Sequence, residues 1–508
     1  MQQRGFLILD FGSQVTQLIA RRLRELGFYS EILPFSFNLS EIKKKNPYGI
    51  ILSGGPHSVY EATSPRRNVR ELEAVAPLLG ICYGMQLIAH DLGGEVEKAQ
   101  SREYGHNIVS WSEALGKIPL QQKVWMSHGD VVKKAPPGTR VIATTDSHPA
   151  ALRGQRILAV QFHPEVAHTE HGQEILTEFA KMCGAVEDWK APQITERLQQ
   201  DILKKVGPTD HVLCALSGGV DSTVVATLLT KTLGPERVQC LFVDNGLLRK
   251  NEFESVLENY KKIGLNVMGV NAQKEFLSAL KGISDPEKKR KAIGRVFIEV
   301  FESSLEKICK NNVQWLAQGT LYPDVIESVS VTGASVTIKS HHNVGGLPEK
   351  MKLKLLEPVR ELFKDEVRKI GHELGLPFEM LWRHPFPGPG LAIRILSDVD
   401  EAKLQVLREA DDVYVSALKE FGLYDKIWQA FCVLLPVQAV GVQGDGRTYE
   451  NVLALRAVTS QDGMTADWYP FDFQFMREVS NRITNKVRGI NRVVYDVTSK
   501  PPATIEWE

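Results

Sequence analysis

The chain has 508 residues, 43% of them hydrophobic and 24% charged, and its 61 Lys+Arg balance its 61 Asp+Glu to a formal net charge of zero. This is the make-up of an ordinary globular protein of about three domains, and the even charge excludes nucleic acid or an anionic membrane as the main partner. No apolar run approaches the ~20 residues of a membrane span, the start runs into a strand with no signal peptide, and the cysteines form no C-x-x-C pair, so a reducing cytoplasm is expected, with neither a disulfide framework nor a zinc site.

In chain order, Gly5–Asp10 reads as a short buried strand, Ser13–Leu26 as an amphipathic helix ended by Gly27, and Gly49–Leu52 as a second strand running into Ser53-Gly54-Gly55-Pro56. Pro77–Ile81 is a third strand. Strands alternating with helices predict a doubly wound α/β domain around a parallel sheet. Cys82 follows the third strand directly and opens a helix, which is the geometry of a nucleophile elbow with Cys in place of Ser. The helix dipole there favours a thiolate. A base is offered by the strand Ile157–Val160, beyond which His163 stands with Glu165 two residues on, able to orient the imidazole. Both Cys82 and His163 fall at carboxyl ends of strands, where active residues of such sheets gather. His128 is a competing base, but no carboxylate sits beside it as Glu165 sits beside His163.

The pattern G-x-C-x-G-x-Q at Gly80–Gln86 with the distant His163-Pro164-Glu165 resembles the class I glutamine amidotransferases. The resemblance implies Cys82 as nucleophile, His163 as base and Glu165 as orienting acid. It implies an oxyanion hole from the Tyr83 N–H and one N–H of Gly54 or Gly55. Gln86 and the loop Ser127, His128, Gly129 match positions that hold the substrate glutamine.

Cys183–Pro192 reads as a linker, and Gly207-Pro208 breaks the chain before the apolar strand His211–Leu216. Ser217-Gly218-Gly219-Val220-Asp221-Ser222 then turns into a helix from Thr223 to Leu233. Unpaired N–H groups at a helix start make an anion site, the glycines admit a phosphate, and Asp221 can hold Mg²⁺ against phosphate oxygens. It is not a Walker A loop, because that spacing and its lysine are absent. S-G-G-x-D-S is similar to the pyrophosphate loop of the ATP pyrophosphatases, which implies ATP as substrate with Mg²⁺, adenine held by backbone near Val243, and Lys364 as the lysine that the loop lacks. Strands follow at Val238–Val243, Gly264–Val270 and Gln314–Gly319, and the glycine-rich Lys339–Pro348 is expected to be a lid. The cluster Lys288-Lys289-Arg290-Lys291 reads as a solvated helix face.

Arg383–Leu391 is a Pro/Gly-dense hinge, followed by an α+β region with a helix over Glu401–Lys419 and strands near Val433–Val442, Asn451–Val458 and Arg492–Val497. Ile505 and Trp507 predict a docked tail rather than a free one. The boundaries expected are 1–190 for the glutaminase, 191–382 for the ATP domain and 383–508 for the third. This order, with R-H-P-F-P-G-P-G-L and K-P-P-A-T-I-E-W-E, resembles the glutamine-hydrolysing GMP synthase family over essentially the whole chain. That implies a homodimer formed through the third domain and xanthosine monophosphate (XMP) as acceptor, contacted by Arg394, Gln429, Lys500, Ile505 and Glu506. Glutamine, ATP and XMP would be the substrates. The alternative is another glutamine-dependent ATP pyrophosphatase amidating a different acceptor.

Overall fold

A computed structural model describes residues 3–146, 148–308, 313–328, 353–443, 446–460, 463 and 465–508. The expected lid, Lys339–Pro348, lies outside the described residues. The chain forms two compact units, one built on Met1–Ile194 and the other on Thr195–Tyr322 together with the C-terminal part of the chain.

The first unit carries nine strands, β1 (Phe6–Asp10), β2 (Ser30–Pro34), β3 (Gly49–Leu52), β4 (Leu78–Ile81), β5 (Glu95–Trp111), β6 (Gln121–Lys134), β7 (Thr139–Thr144), β8 (Pro149–Gly154) and β9 (Ile157–Val160), in the order β2-β1-β3-β4-β9-β8-β7-β5-β6. Strands β2 to β9 along that order are parallel. β3, β4 and β9 are buried at every residue, as their unbroken apolar runs require in a sheet covered on both faces. Within this sheet the doubly wound arrangement is confined to the parallel half. From β9 outward the pairing is antiparallel. The long hairpin of β5 and β6 has no helix between its strands, and β6 alternates exposed and buried residues, the pattern of a sheet with one wet face.

The helix expected over Ser13–Leu26 forms over Thr16–Glu25. The expected linker is not loose. Trp189 is buried against the Tyr29 ring at 4.7 Å and its N–H donates to Gly27 O at 2.9 Å. The next helix starts at Ala191.

The second unit has a parallel sheet of β10 (His211–Leu216), β11 (Val238–Asp244), β12 (Val267–Asn271), β13 (Val313–Ala317) and β14 (Lys354–Leu356), ordered β12-β11-β10-β13-β14. A second sheet pairs β15 (Gln429–Gln443) with β16 (Gly446–Thr459), and β16 with β17 (Asp467–Trp468) and, in parallel, with β18 (Ile490–Tyr495). Helices Glu401–Glu420 and Phe473–Lys486 belong to this part. One apolar core runs through both sheets, from Leu213, Leu241 and Leu316 through Leu391 and Ile395 to Tyr414, Leu434, Leu455 and Phe475. The Pro/Gly-dense segment from Arg383 therefore crosses a continuous core. Among the described residues no helix is long and apolar enough to cross a membrane, and Cys82, Cys183, Cys214, Cys240 and Cys432 are free thiols.

Candidate active sites

Cys82 sits between β4 and the helix Tyr83–Asp91 with φ +52° and ψ −106°. Few non-glycine residues adopt a positive φ, and such strain collects at functional turns. Two glycines make the turn possible. A Cβ on Gly84 would lie 2.2 Å from Leu52 O, and one on Gly80 would lie 2.8 Å from the Gly84 carbonyl. The elbow is thus pressed against the end of β3, and the Gly84 N–H donates to Ser53 O at 3.1 Å. Met85 and Gln86 N–H both donate to Cys82 O.

His163 is buried, and its Nδ1 lies 2.8 Å from Glu165 Oε1. Glu165 has no exposed surface. Burial presses the imidazole toward neutrality, but the Glu165 carboxylate and the Cys82 side chain, in hydrogen-bond contact with it, outweigh that and hold the His163 pKa well above its ordinary 6.5. The residue is fixed from three sides. Its main-chain N–H donates to Trp125 O at 3.1 Å, its main-chain carbonyl accepts from Thr169 Oγ1 at 2.6 Å, and Gly54 packs over the ring Cε1 so closely that a Cβ there would approach to 3.0 Å. Three sequence-distant segments, around Gly54, Cys82 and His163, therefore meet.

Ser127, His128 and Gly129, expected in a loop, lie on the strand β6. Cys82 Sγ lies 3.7 Å from Ser127 O, so β6 passes beside the nucleophile. Gln86 is buried, and its Nε2 donates to Asp130 O at 2.9 Å. It ties the elbow helix to β6. His128 does have a carboxylate partner, contrary to expectation. Glu103 from β5 lies 3.0 Å from its Nε2, while Nδ1 faces Asp130 O at 3.0 Å. A neighbouring strand supplies what sequence adjacency does not. What separates the two histidines is the thiol, which stands beside His163. Gly129 lies near the Arg102 and Tyr104 side chains, each 3.9 Å from where its Cβ would be. Tyr60, missed in the sequence, donates its hydroxyl to Asp130 Oδ1 at 2.8 Å.

In the second unit β10 leads through Ser217 and Gly218, at φ +76°, into the helix Val220–Leu233, with Gly219 as its N-cap. The loop is held by its own hydroxyls. Ser222 Oγ lies 3.2 Å from Ser217 Oγ and donates to Gly219 O at 3.2 Å, and Thr223 Oγ1 donates to Gly219 O at 2.8 Å. Val220 and Ser222 are buried in the first turn. Lys364, which begins the helix Lys364–Glu373, comes 3.8 Å from Asp221 Oδ2 although 143 residues separate them in sequence. Val243 is buried near the end of β11, in register with Val270. Asp244 next to it has both oxygens engaged, by Gly246 N–H at 2.9 Å and Gln273 Nε2 at 2.6 Å. Arg383, the first residue of the Pro/Gly-dense motif, pairs with Glu252 and reaches Gly218 O at 3.4 Å. Burial lowers its pKa to about 10, so it stays a cation beside the loop.

The tail is docked. Ile505 packs with Phe431, Val433 and Val458, and Trp507 Nε1 donates to Asp496 Oδ2 at 3.0 Å. Arg394 is fully buried and takes Glu506 bidentately, Nε to Oε2 at 3.2 Å and Nη2 to Oε1 at 2.8 Å. Gln429 Nε2 adds a third donor to Oε1 at 2.7 Å. Three of the five expected acceptor residues thus meet in one cluster. Lys500 donates to Gly463 O at 2.7 Å.

A Cys-His-Glu elbow site and a separate phosphate-loop unit in one polypeptide define an ATP-dependent glutamine amidotransferase. Comparison with known proteins agrees segment by segment. The family model described as "Glutamine amidotransferase class-I" matches residues 7–183, "NAD synthase" matches 192–296, and "GMP synthase C terminal domain" matches 416–507. The NAD synthase match is confined to the segment around the phosphate loop. A protein of Bdellovibrio bacteriovorus called "GMP synthase [glutamine-hydrolyzing]" is 72% identical, covering 99% of this chain and 100% of that one. Relatives of the same description from Porphyromonas gingivalis and Aquifex aeolicus are 53% and 54% identical, over 99% or more of both chains. The chain belongs to the family of glutamine-hydrolysing GMP synthases.

Proposed function

We propose that this chain converts XMP to GMP with glutamine as nitrogen donor and ATP cleaved to AMP and pyrophosphate. The observation that carries the reading is the strained Cys82 elbow, with His163 and Glu165 behind it, in the same chain as a phosphate loop flanked by Lys364. In the first unit the Cys82 sulfur adds to the glutamine carboxamide carbon. The oxyanion is received by the Tyr83 N–H and an N–H of Gly54 or Gly55. Gly84, Met85 and Gln86 have their amides engaged elsewhere, which favours Tyr83 among the first-turn donors. A single such donor is worth on the order of 3 kcal/mol of barrier. His163 gives its proton to the departing ammonia, and then takes one from the water that hydrolyses the thioester to glutamate. Glu165 keeps the imidazole oriented and offsets its positive charge. Ser127, His128 and Gly129 of β6, which Gln86 ties to the elbow helix, form the strand against which the substrate lies.

In the second unit the C2 oxygen of XMP attacks the α phosphorus of ATP. Pyrophosphate leaves and adenyl-XMP forms. Ammonia adds at C2, and AMP departs with the former C2 oxygen. The loop Ser217–Ser222 and Lys364 stabilise charge on the leaving pyrophosphate. Asp221 would hold Mg²⁺, which supplies charge neutralisation on phosphate oxygens. This metal relies on one or two carboxylates plus phosphates and water, so the Asp221 carboxylate in the first turn after the phosphate loop fits it. The Arg394, Gln429 and Glu506 cluster would recognise XMP, with Ile505 and Lys500 beside it.

The homodimer reading is supported by Val440, Val442 and Tyr449, which share one face of the β15–β16 hairpin by register and are exposed. A cytoplasmic location is supported by the cysteine pattern of the sequence, scattered singly with no C-x-x-C pair and no disulfide framework. The chemistry is tested with XMP carrying ¹⁸O at C2. The label is expected in the AMP phosphate, and its appearance in pyrophosphate or water would overturn the adenylylation step.

A further inference from the structure

Lys289 does not share the solvated face expected for its basic cluster. It is fully buried on the helix Pro286–Ile308. Its Nζ donates to Ala392 O at 3.1 Å, Ile395 O at 2.6 Å and Glu508 Oε2 at 2.8 Å. An ammonium has three donors, and here each has an acceptor. The arrangement suits Lys and not Arg, because three acceptors converge on one point, where a planar fork does not fit. The two carbonyls bracket Arg394 in the sequence, and Ala392 lies in the turn Gly390–Arg394 that carries it. Glu508 lies two residues beyond Glu506, the carboxylate that takes Arg394 and Gln429. One buried cation therefore joins the turn that bears Arg394 to the tail that bears Glu506.

We propose that Lys289 and Glu508 are a positioning pair for the acceptor nucleotide, fixing the Arg394–Glu506 spacing and through it the affinity for a purine nucleoside monophosphate. The proposal rests on the reading of Arg394, Gln429 and Glu506 as acceptor contacts. Neither member of the pair touches the nucleotide. Both act through the main chain that carries the residues that do.

The test is steady-state kinetics of the full-length protein with Lys289→Met and Glu508→Gln. Each is expected to raise KM for XMP about tenfold or more, with KM for ATP and the rate of glutamine hydrolysis within about twofold of wild type. The double variant is expected to be no worse than the more damaged single one, because a pair acting as a unit is non-additive. Lys289→Arg is expected not to restore the XMP affinity. Glu508→Gln preserves size, so it keeps the test open if Lys289→Met does not fold. Glu506→Gln separates the two levels of the argument. If Glu506→Gln leaves KM for XMP unchanged, the acceptor-site reading falls and the pair falls with it. If Glu506→Gln raises it and Glu508→Gln does not, the site stands and the positioning pair is overturned. An equal rise in KM for ATP and XMP would also overturn it, since that marks general loosening.

Discussion

Replacing Gly84 with alanine drives a methyl group into the end of β3. The added Cβ would sit 2.2 Å from Leu52 O and 2.8 Å from Leu52 C and Cβ. Ordinary contact needs a little over 3 Å, so the elbow helix and β3 must part by about 1 Å. Both sides of that gap matter. Cys82 stands two residues before Gly84, and Leu52 leads into Ser53-Gly54-Gly55. A misplacement of about 1 Å between reacting groups costs roughly 10²-fold in rate. Overpacking destabilises by about 1–3 kcal/mol, partly offset by the better helix propensity of alanine. The assay is GMP formation with glutamine and, separately, with ammonium salt as nitrogen source. The glutamine-dependent rate of Gly84→Ala is expected to fall about 10²-fold, with the ammonium-dependent rate within about twofold of wild type. A glutamine-dependent rate retained within about threefold would refute the claim that this contact sets the elbow.

Three further outcomes are expected. Glu165→Gln removes the carboxylate that holds the His163 pKa up. The His163 pKa then falls, so the alkaline limb of the glutaminase pH profile moves to lower pH while the rate drops by about 10²–10⁴-fold, and an unmoved limb would contradict this. Lys364→Met takes the cation from its place beside Asp221. AMP release is expected to fall on the order of 10²-fold with glutamine hydrolysis unchanged, and equal loss in both assays would contradict it. His384 is stacked on the Tyr424 ring at 3.8 Å, its Nδ1 accepts from Ala430 N–H at 3.2 Å, and burial lowers its pKa to about 4. The unfolded chain binds this proton near pH 6.5 and the folded chain does not until about 4, so the stability contributed by neutral His384 is lost as pH falls through that window, up to roughly 3 kcal/mol. Wild type should lose more melting temperature than His384→Asn between pH 7 and 4.5, and parallel losses would contradict the assignment.

The parallel core was legible because its strands are buried on both faces and read as unbroken apolar runs, and the two turns were legible because Gly80, Gly84 and Gly218 mark places where a side chain or an ordinary φ does not fit. The antiparallel hairpin of β5 and β6 was not, since its alternation is that of any half-wet strand and no motif flags it. Contacts across long separations were also hidden. Nothing local pairs Glu103 with His128, brings Arg383 to Gly218 O, or shows that Lys289, alone among four consecutive basic residues, points inward. Arg394, Gln429 and Glu506 were singled out one by one through resemblance, with no sign in the sequence that they meet. Only the structure shows Glu506 already held by Arg394 and Gln429.

On this mechanism Cys82 makes the ammonia that the second unit uses. The decisive measurement is GMP and AMP formation by Cys82→Ala, which leaves that unit's residues unaltered, with Mg-ATP and XMP. No GMP is expected from glutamine, and an undiminished rate is expected from added ammonium. GMP formed from glutamine by the variant, or ADP in place of AMP with either nitrogen source, would contradict it.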